Sequence, residues 1–112
     1  MIRIRARGRH PGARKTGMNG LESAYAQILE ARRLTGEIEY WKFEAIKLRL
    51  ADKTFYTPDF LVQESGAGYI EFHEVKGFWH DDARVKIKVA AEQFPMFQFI
   101  AVKGKSFERE EF

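Results

Sequence analysis

The sequence predicts an α/β fold in which a central mixed β-sheet is flanked by helices. Two stretches, residues 20–35 and 81–94, repeat apolar residues at helical spacing, whereas the segments between and after them alternate as strands do. A chain of 112 residues is long enough for one compact domain and too short for two. We therefore expect the order helix, three or four strands, helix, strand.

The first helix is expected over residues 20–35, with Asn19 capping its start and Gly36 ending it. Its apolar face consists of Leu21, Tyr25, Ile28 and Leu29. The spacing of Asn19 and Glu22 fits a capping box, in which the Glu22 carboxylate reaches back to the Asn19 amide. The alternative is that Glu22 holds a metal-bound water or a second ion from this helix.

Alternating apolar residues predict strands over 37–50, 55–62 and 69–75. Asp52-Lys53 breaks the chain between the first two strands, and Gly66 and Gly68 mark a turn before the third.

A second helix is expected to begin with Asp81 or Asp82 as its cap and to continue to about Phe94, where Pro95 stops it. Its inward stripe consists of Ala83, Ile87, Ala90 and Phe94. The apolar run over 97–102 predicts a last buried strand.

Residues 1–18 are expected to form a basic arm ahead of a single domain over 19–112. The net charge is +3, yet the first fifteen residues hold six basic residues and no acid, so the remainder is net negative. Such arms often contact nucleic acid by neutralising phosphates, with a solubilising tail as the alternative. The candidate DNA contacts in the arm are Arg7, Arg9, Arg14 and Lys15.

The absence of cysteine excludes disulfides and thiolate metal sites. No apolar run approaches the roughly 20 residues that span a bilayer, and no apolar stretch follows the N-terminal charges as in a secretory signal. We expect a cytoplasmic protein with no membrane partner.

Two segments place acids on otherwise apolar β segments: Tyr56-Thr57-Pro58-Asp59-Phe60-Leu61-Val62 and Phe72-His73-Glu74-Val75-Lys76-Gly77. Buried carboxylates are costly unless paired, and two on adjacent strands repel each other. A hard divalent cation such as Mg²⁺ would resolve this repulsion. A lone Glu-x-Lys is usually a solvated pair, but this combination favours a catalytic site.

Glu74 and Lys76 are expected to project from one face of their strand, about 7 Å apart. Val75 would then point into the core, and its backbone carbonyl could join the metal shell. Lys76 could orient the attacking water and stabilise charge on a phosphate. His73 should face the opposite side and serve a structural role.

These residues resemble the signature of PD-(D/E)XK nucleases: Pro58-Asp59, then Glu74-Val75-Lys76, with Glu22 on the preceding helix. The chain resembles the phage endonuclease I family of Holliday-junction resolving enzymes over roughly residues 19–95. It also resembles short prophage-encoded proteins that share Glu74-Val75-Lys76-Gly77-Phe78-Trp79.

The resemblance implies a restriction-endonuclease-like core, with Glu22, Asp59 and Glu74 as metal-site acids and Lys76 as the catalytic lysine. It implies Mg²⁺, with Mn²⁺ able to substitute, and a homodimer that exchanges N-terminal elements. The expected function is a structure-selective phage or prophage endodeoxyribonuclease that acts on branched DNA.

Arg84, Lys86 and Lys88 on the second helix are further candidate DNA contacts, with a solvated helix face as the alternative. Two rival functions stay open. One is a nicking or duplex-cutting prophage endonuclease, and the other is a non-catalytic DNA-binding module on the same fold.

Overall fold

A computed structural model gives the structure of the chain and describes residues 17–112. The predicted DNA contacts Arg7, Arg9, Arg14 and Lys15, and all but the last two residues of the predicted arm, lie outside the described residues.

Helix α1 spans Gly20–Leu34, which confirms the first predicted helix. The Asn19 side chain accepts from the Glu22 N–H at 2.8 Å, and Glu22 Oε1 accepts from the Asn19 N–H at 3.0 Å. The capping box is therefore formed. Gly36, with φ 85°, follows the helix as predicted. Ile28 is 38% exposed, so the buried face instead runs through Tyr25, Ala26 and Leu29.

The central sheet has five strands in the spatial order β1-β4-β5-β6-β7. Only the β5–β6 pair is parallel within this sheet, so the predicted mixed sheet is confirmed. The strands are β1 Ile38–Phe43, β4 Phe60–Glu64, β5 Ile70–Lys76, β6 Gln98–Lys103 and β7 Glu108–Glu111.

A separate two-stranded hairpin is made by β2 (Leu48–Ala51) and β3 (Thr54–Tyr56). The predicted β segments 37–50 and 55–62 each divide between the hairpin and the central sheet, so five strands precede the second helix where three or four were expected. Pro58 lies in the break between β3 and β4, where its lack of an N–H group costs no hydrogen bond between strands. The break leaves Asp59 directly before β4.

Helix α2 spans Asp81–Gln93 and supplies the crossover that the parallel strands β5 and β6 require. Its N-cap is His80, so the prediction that Asp81 or Asp82 caps the helix was wrong. Both acids lie in the first turn, where the helix dipole favours negative charge. Among residues 17–112, neither helix is long and apolar enough to cross a lipid bilayer.

Two apolar clusters lie on opposite faces of the sheet. One packs Tyr25 and Leu29 of α1 against residues that include Val75, and the other packs Ile87 of α2 against residues that include Phe72. The β2–β3 hairpin contributes to the α2 side through Leu48, Leu50 and Tyr56. Strand β5 therefore turns its odd-numbered residues toward α1 and its even-numbered residues, Glu74 and Lys76 among them, toward the hairpin side.

Candidate active site

Asp59 and Glu74 lie side by side at the point where β4 begins. Each carboxylate accepts a hydrogen bond from the backbone of the segment that carries the other acid. Glu74 Oε1 accepts a hydrogen bond from the Asp59 N–H at 3.2 Å. Asp59 Oδ2 accepts one from the Val75 N–H at 2.8 Å. The pairing of Phe60 with His73 in the β4–β5 ladder sets this register. The ladder thus brings together two acids that are fifteen positions apart in the sequence.

Both carboxyl groups are buried, with 7% of each residue exposed. Burial, and then the charge of Glu74, raises the pKa of Asp59 to about 8. Burial also raises the pKa of Glu74, although hydrogen bonds to its carboxylate oppose the shift. The pair is therefore an unfavourable place for two negative charges unless a cation compensates them.

Two further side chains contact Glu74. The Tyr56 hydroxyl donates to Glu74 Oε1 at 2.9 Å, and Lys76 Nζ lies 3.6 Å from Glu74 Oε2. The Lys76 side chain is 41% exposed, so its ammonium group is accessible to a ligand while it stays beside the acid. Glu74 and Lys76 therefore share one side of β5, as the sequence predicted.

Glu22 occupies the capping box of α1, and its charge is near enough to Asp59 to raise the pKa of that acid. Among residues 17–112, no three His, Asp or Glu side chains group together as ligands of one ion. The structure therefore brings together Asp59, Glu74 and Lys76, and it keeps Glu22 at the helix end. A role for Glu22 in the site stays a prediction, as does a role for the Val75 carbonyl.

A cleft of about 450 Å³ opens between β3, the end of β5 and the first turns of α2. It is lined by Phe55, Tyr56, Thr57, Glu74, Lys76, Phe78, His80, Asp82, Ala83 and Lys86. Glu74 and Lys76 form part of its wall, so a ligand in the cleft would reach the acid–lysine group directly.

The three basic residues of α2 have different surroundings. Lys86 lines the cleft, and its Nζ donates to the Phe55 carbonyl at 3.3 Å. Arg84 donates to both carboxylate oxygens of Glu110, at 3.0 and 2.8 Å, and its guanidinium lies over the Phe112 ring. Lys88 is exposed. The structure gives Arg84 a partner within the chain, whereas DNA contact by these residues stays a prediction.

His73 lies on the opposite side of β5 from the acid pair. Its ring nitrogens contact the Tyr25 hydroxyl at 2.6 Å and Glu71 Oε1 at 2.8 Å, and it is fully buried. Burial lowers the pKa of His73, which favours the neutral ring. These contacts tie α1 to β5, and they fit the structural role that the sequence predicted.

Tyr56 and Phe78 are the residues that sequence reasoning did not single out. Tyr56 stands in the same short segment as Asp59, and Phe78 follows Lys76 by two residues. Their proximity to the motif was the available signal. Strand alternation alone does not reveal that the Tyr56 hydroxyl meets an acid eighteen residues away.

The donor set fits a hard divalent cation. Asp59 and Glu74 offer carboxylate oxygens, which such ions prefer, and the buried pair needs positive charge. The N–H and O–H donors described above engage Asp59 Oδ2 and Glu74 Oε1. Asp59 Oδ1 therefore remains for a cation, whereas Glu74 Oε2 would be shared between a cation and the Lys76 ammonium group 3.6 Å away.

Comparison with known proteins gives one similarity that bears on this site. The chain is 36% identical over 86 residues to endonuclease I of Escherichia phage T7, which covers 75% of this chain and 53% of that protein. The chain thus spans about half the length of this relative. No family model matches the chain, and no solved structure matches it. In sequence, therefore, the chain is similar to a phage endonuclease, which is consistent with a nuclease relationship.

Proposed function

We propose that this chain is a metal-dependent endodeoxyribonuclease of the PD-(D/E)XK type that hydrolyses phosphodiester bonds in branched DNA. The observation that carries the proposal is the buried Asp59–Glu74 pair with Lys76 beside it in an open cleft. Similarity to endonuclease I of phage T7 supports the same reaction class and a phage or prophage origin.

Asp59 and Glu74 would hold Mg²⁺ or Mn²⁺, with the Val75 carbonyl as a further oxygen donor. The ion would offset the charge of the acid pair and stabilise charge that develops on the phosphate in the transition state. Lys76, which is half-exposed beside Glu74, would orient the attacking water and add positive charge next to the phosphate. Glu22 would assist from the start of α1, through water, because its carboxylate caps the helix.

Contacts to the DNA backbone would come from the arm and from α2. Lys86 is the best placed of the three basic residues of α2, because it lines the cleft that contains Glu74 and Lys76. Arg84 would first have to leave or share its pairing with Glu110. We propose a cytoplasmic homodimer as the working form, with N-terminal elements exchanged between subunits.

The decisive experiment compares cleavage of a four-way junction with cleavage of a linear duplex of the same sequence, in Mg²⁺, in Mn²⁺ and in EDTA. We expect cleavage that requires metal and is faster on the junction. Asp59→Ala and Lys76→Ala should lose cleavage and still bind the junction. Matched controls are Asp52→Ala and Lys42→Ala, which alter exposed residues outside the cleft.

Each alternative has its own result in this assay. Equal cleavage of duplex and junction would favour a nicking or duplex-cutting endonuclease. An absence of cleavage with either metal, with junction binding retained, would favour a non-catalytic DNA-binding module. Unchanged cleavage by Asp59→Ala or Lys76→Ala would remove the proposed site.

A further inference from the structure

The cleft beside the acid–lysine group is partly aromatic, which phosphodiester hydrolysis by itself does not require. Phe55 and Phe78 line it together with Glu74 and Lys76. Its volume of about 450 Å³ lies within the range of sites that hold small ligands, roughly 300–1,000 Å³. A single nucleotide is a ligand of suitable size, and it carries both a flat ring and a phosphate.

Phe78 is the most exposed large apolar residue among those described, at 72%. It follows Gly77 directly after β5, and its ring packs edge-on against His80 with 4.9 Å between centroids. Phe55 is 41% exposed, and Lys47 Nζ lies 4.6 Å from its ring centroid. An exposed ring at a cleft is available to stack on a flat ligand.

Cations accompany these rings. Lys76 and Lys86 both line the cleft, where Glu74 and Asp82 are the acids. Lys76 pairs with Glu74, whereas Lys86 donates to a backbone carbonyl and forms none of the ion pairs found in residues 17–112. Aromatic rings beside lysines are the combination by which proteins bind unpaired nucleotides: the rings stack on bases and the cations contact phosphates.

We propose that this cleft binds one unpaired nucleotide of the DNA substrate next to the cleaved phosphate, with its base stacked on Phe78 and with Phe55 as a second aromatic lining residue. The proposal rests on the proposed function for its catalytic consequence. It narrows the substrate class to DNA that exposes an unpaired base near the cut, such as a bulge, a flap or an open branch point. Substrate selection would then depend on the ability of a base to leave the helix.

Binding tests the proposal without catalysis. Oligonucleotides that carry 2-aminopurine either at an unpaired position or within a full duplex are titrated with the protein in EDTA. We expect wild-type protein to quench the unpaired probe by stacking, and Phe78→Ala to lose the quenching and bind this probe roughly tenfold or more weakly. Phe78→Trp should keep the quenching. Tyr69→Ala is the matched control, because Tyr69 is an equally exposed aromatic residue, at 71%, outside the cleft.

Cleavage in Mg²⁺ then separates this proposal from the nuclease assignment. The ratio of cleavage rates for bulged and fully paired DNA should fall in Phe78→Ala and stay at the wild-type value in Tyr69→Ala. Quenching without cleavage by wild-type protein would support the base-binding cleft and overturn the nuclease assignment. Metal-dependent cleavage with unchanged quenching and an unchanged rate ratio in Phe78→Ala would support the nuclease assignment and overturn the base-binding cleft. A change of oligomeric state in Phe78→Ala, with binding unaltered, would assign the ring to a contact between copies and overturn the proposal.

Discussion

The Tyr56 hydroxyl donates a hydrogen bond to Glu74 Oε1 over 2.9 Å. This bond joins the β2–β3 hairpin to an acid of the central sheet. This bond opposes the effect of burial on Glu74, because it favours the ionised carboxylate. A hairpin outside the central sheet thus helps to keep the candidate metal ligand charged.

Tyr56→Phe should therefore weaken metal binding without unfolding the protein. We expect roughly tenfold weaker Mn²⁺ binding at pH 7, since hydrogen bonds to charged groups contribute about 1.5–3 kcal/mol. The pKa of Glu74 should rise further, so the pH at which binding is half-complete should also rise. Isothermal titration between pH 6 and pH 9 measures both effects. Tyr69→Phe is the control, and an unaltered pH profile in Tyr56→Phe would show that the hydroxyl does not position Glu74.

Two substitutions separate the two candidate roles of Glu22, which are capping of helix α1 and assistance at the metal site. Glu22→Gln keeps an oxygen that can accept from the Asn19 amide, so stability should change by less than about 0.5 kcal/mol. Metal-dependent cleavage should still fall, because the charge near Asp59 is lost. Glu22→Ala should lower stability by about 1 kcal/mol more, as for other lost caps. Full cleavage activity in Glu22→Gln would leave Glu22 as a helix cap alone.

The Asp59 carboxyl should make stability depend on pH when divalent ions are absent. Its pKa is about 8 in the folded protein and near 3.8 in the unfolded chain, so between these values the folded state keeps a proton that the unfolded state releases. Stability should therefore fall as pH rises from about 4 to 8. Asp59→Asn should be more stable than wild type at pH 8 in EDTA, by about 1 kcal/mol or more, with a smaller difference at pH 5.

Thermal unfolding with and without Mg²⁺ measures this effect. The ion should stabilise wild type at pH 8 and have little effect on Asp59→Asn, because it binds the folded state through the missing carboxylate. Asp52→Asn, at an exposed turn, is the control. Parallel pH profiles for wild type and Asp59→Asn would contradict the prediction.

The Arg84–Glu110 pair is expected to hold β7 against α2. Removing either side chain should lower the melting temperature, and the double variant Arg84→Ala/Glu110→Ala should lose less than the sum of the two single effects. Lys88→Ala, on an exposed part of the same helix, should change stability little. If Arg84→Ala weakens junction binding and leaves stability intact, Arg84 contacts DNA and does not stabilise the packing of β7 against α2.

The sequence predicted the elements whose causes are local. The capping box at Asn19 and Glu22, Gly36 after the helix and the alternation of β5 are all readable within a few residues. The convergence of Asp59 with Glu74 was also predicted, because acids are rare on apolar strands and both occur in one recognisable motif.

Strand β7 was not predicted, because its sequence, Glu108–Glu111, is almost entirely acidic and has low strand propensity. It forms by pairing with β6, and Glu110 contacts both Arg84 and Lys103. The N-cap of α2 and the break around Pro58 likewise depend on packing between distant segments. Such long-range partners cannot be read from periodicity.

The loop between β4 and β5 contains Gly66 and Gly68 and lies at the far end of these strands from Asp59 and Glu74. Because Gln63 pairs with Ile70 before the loop begins, the ladder fixes the acids independently of the residues at the tip. Relatives could therefore vary in length there without altering their chemistry. The same tip is a suitable place to attach a fluorophore or to graft a second DNA-binding module onto this small domain.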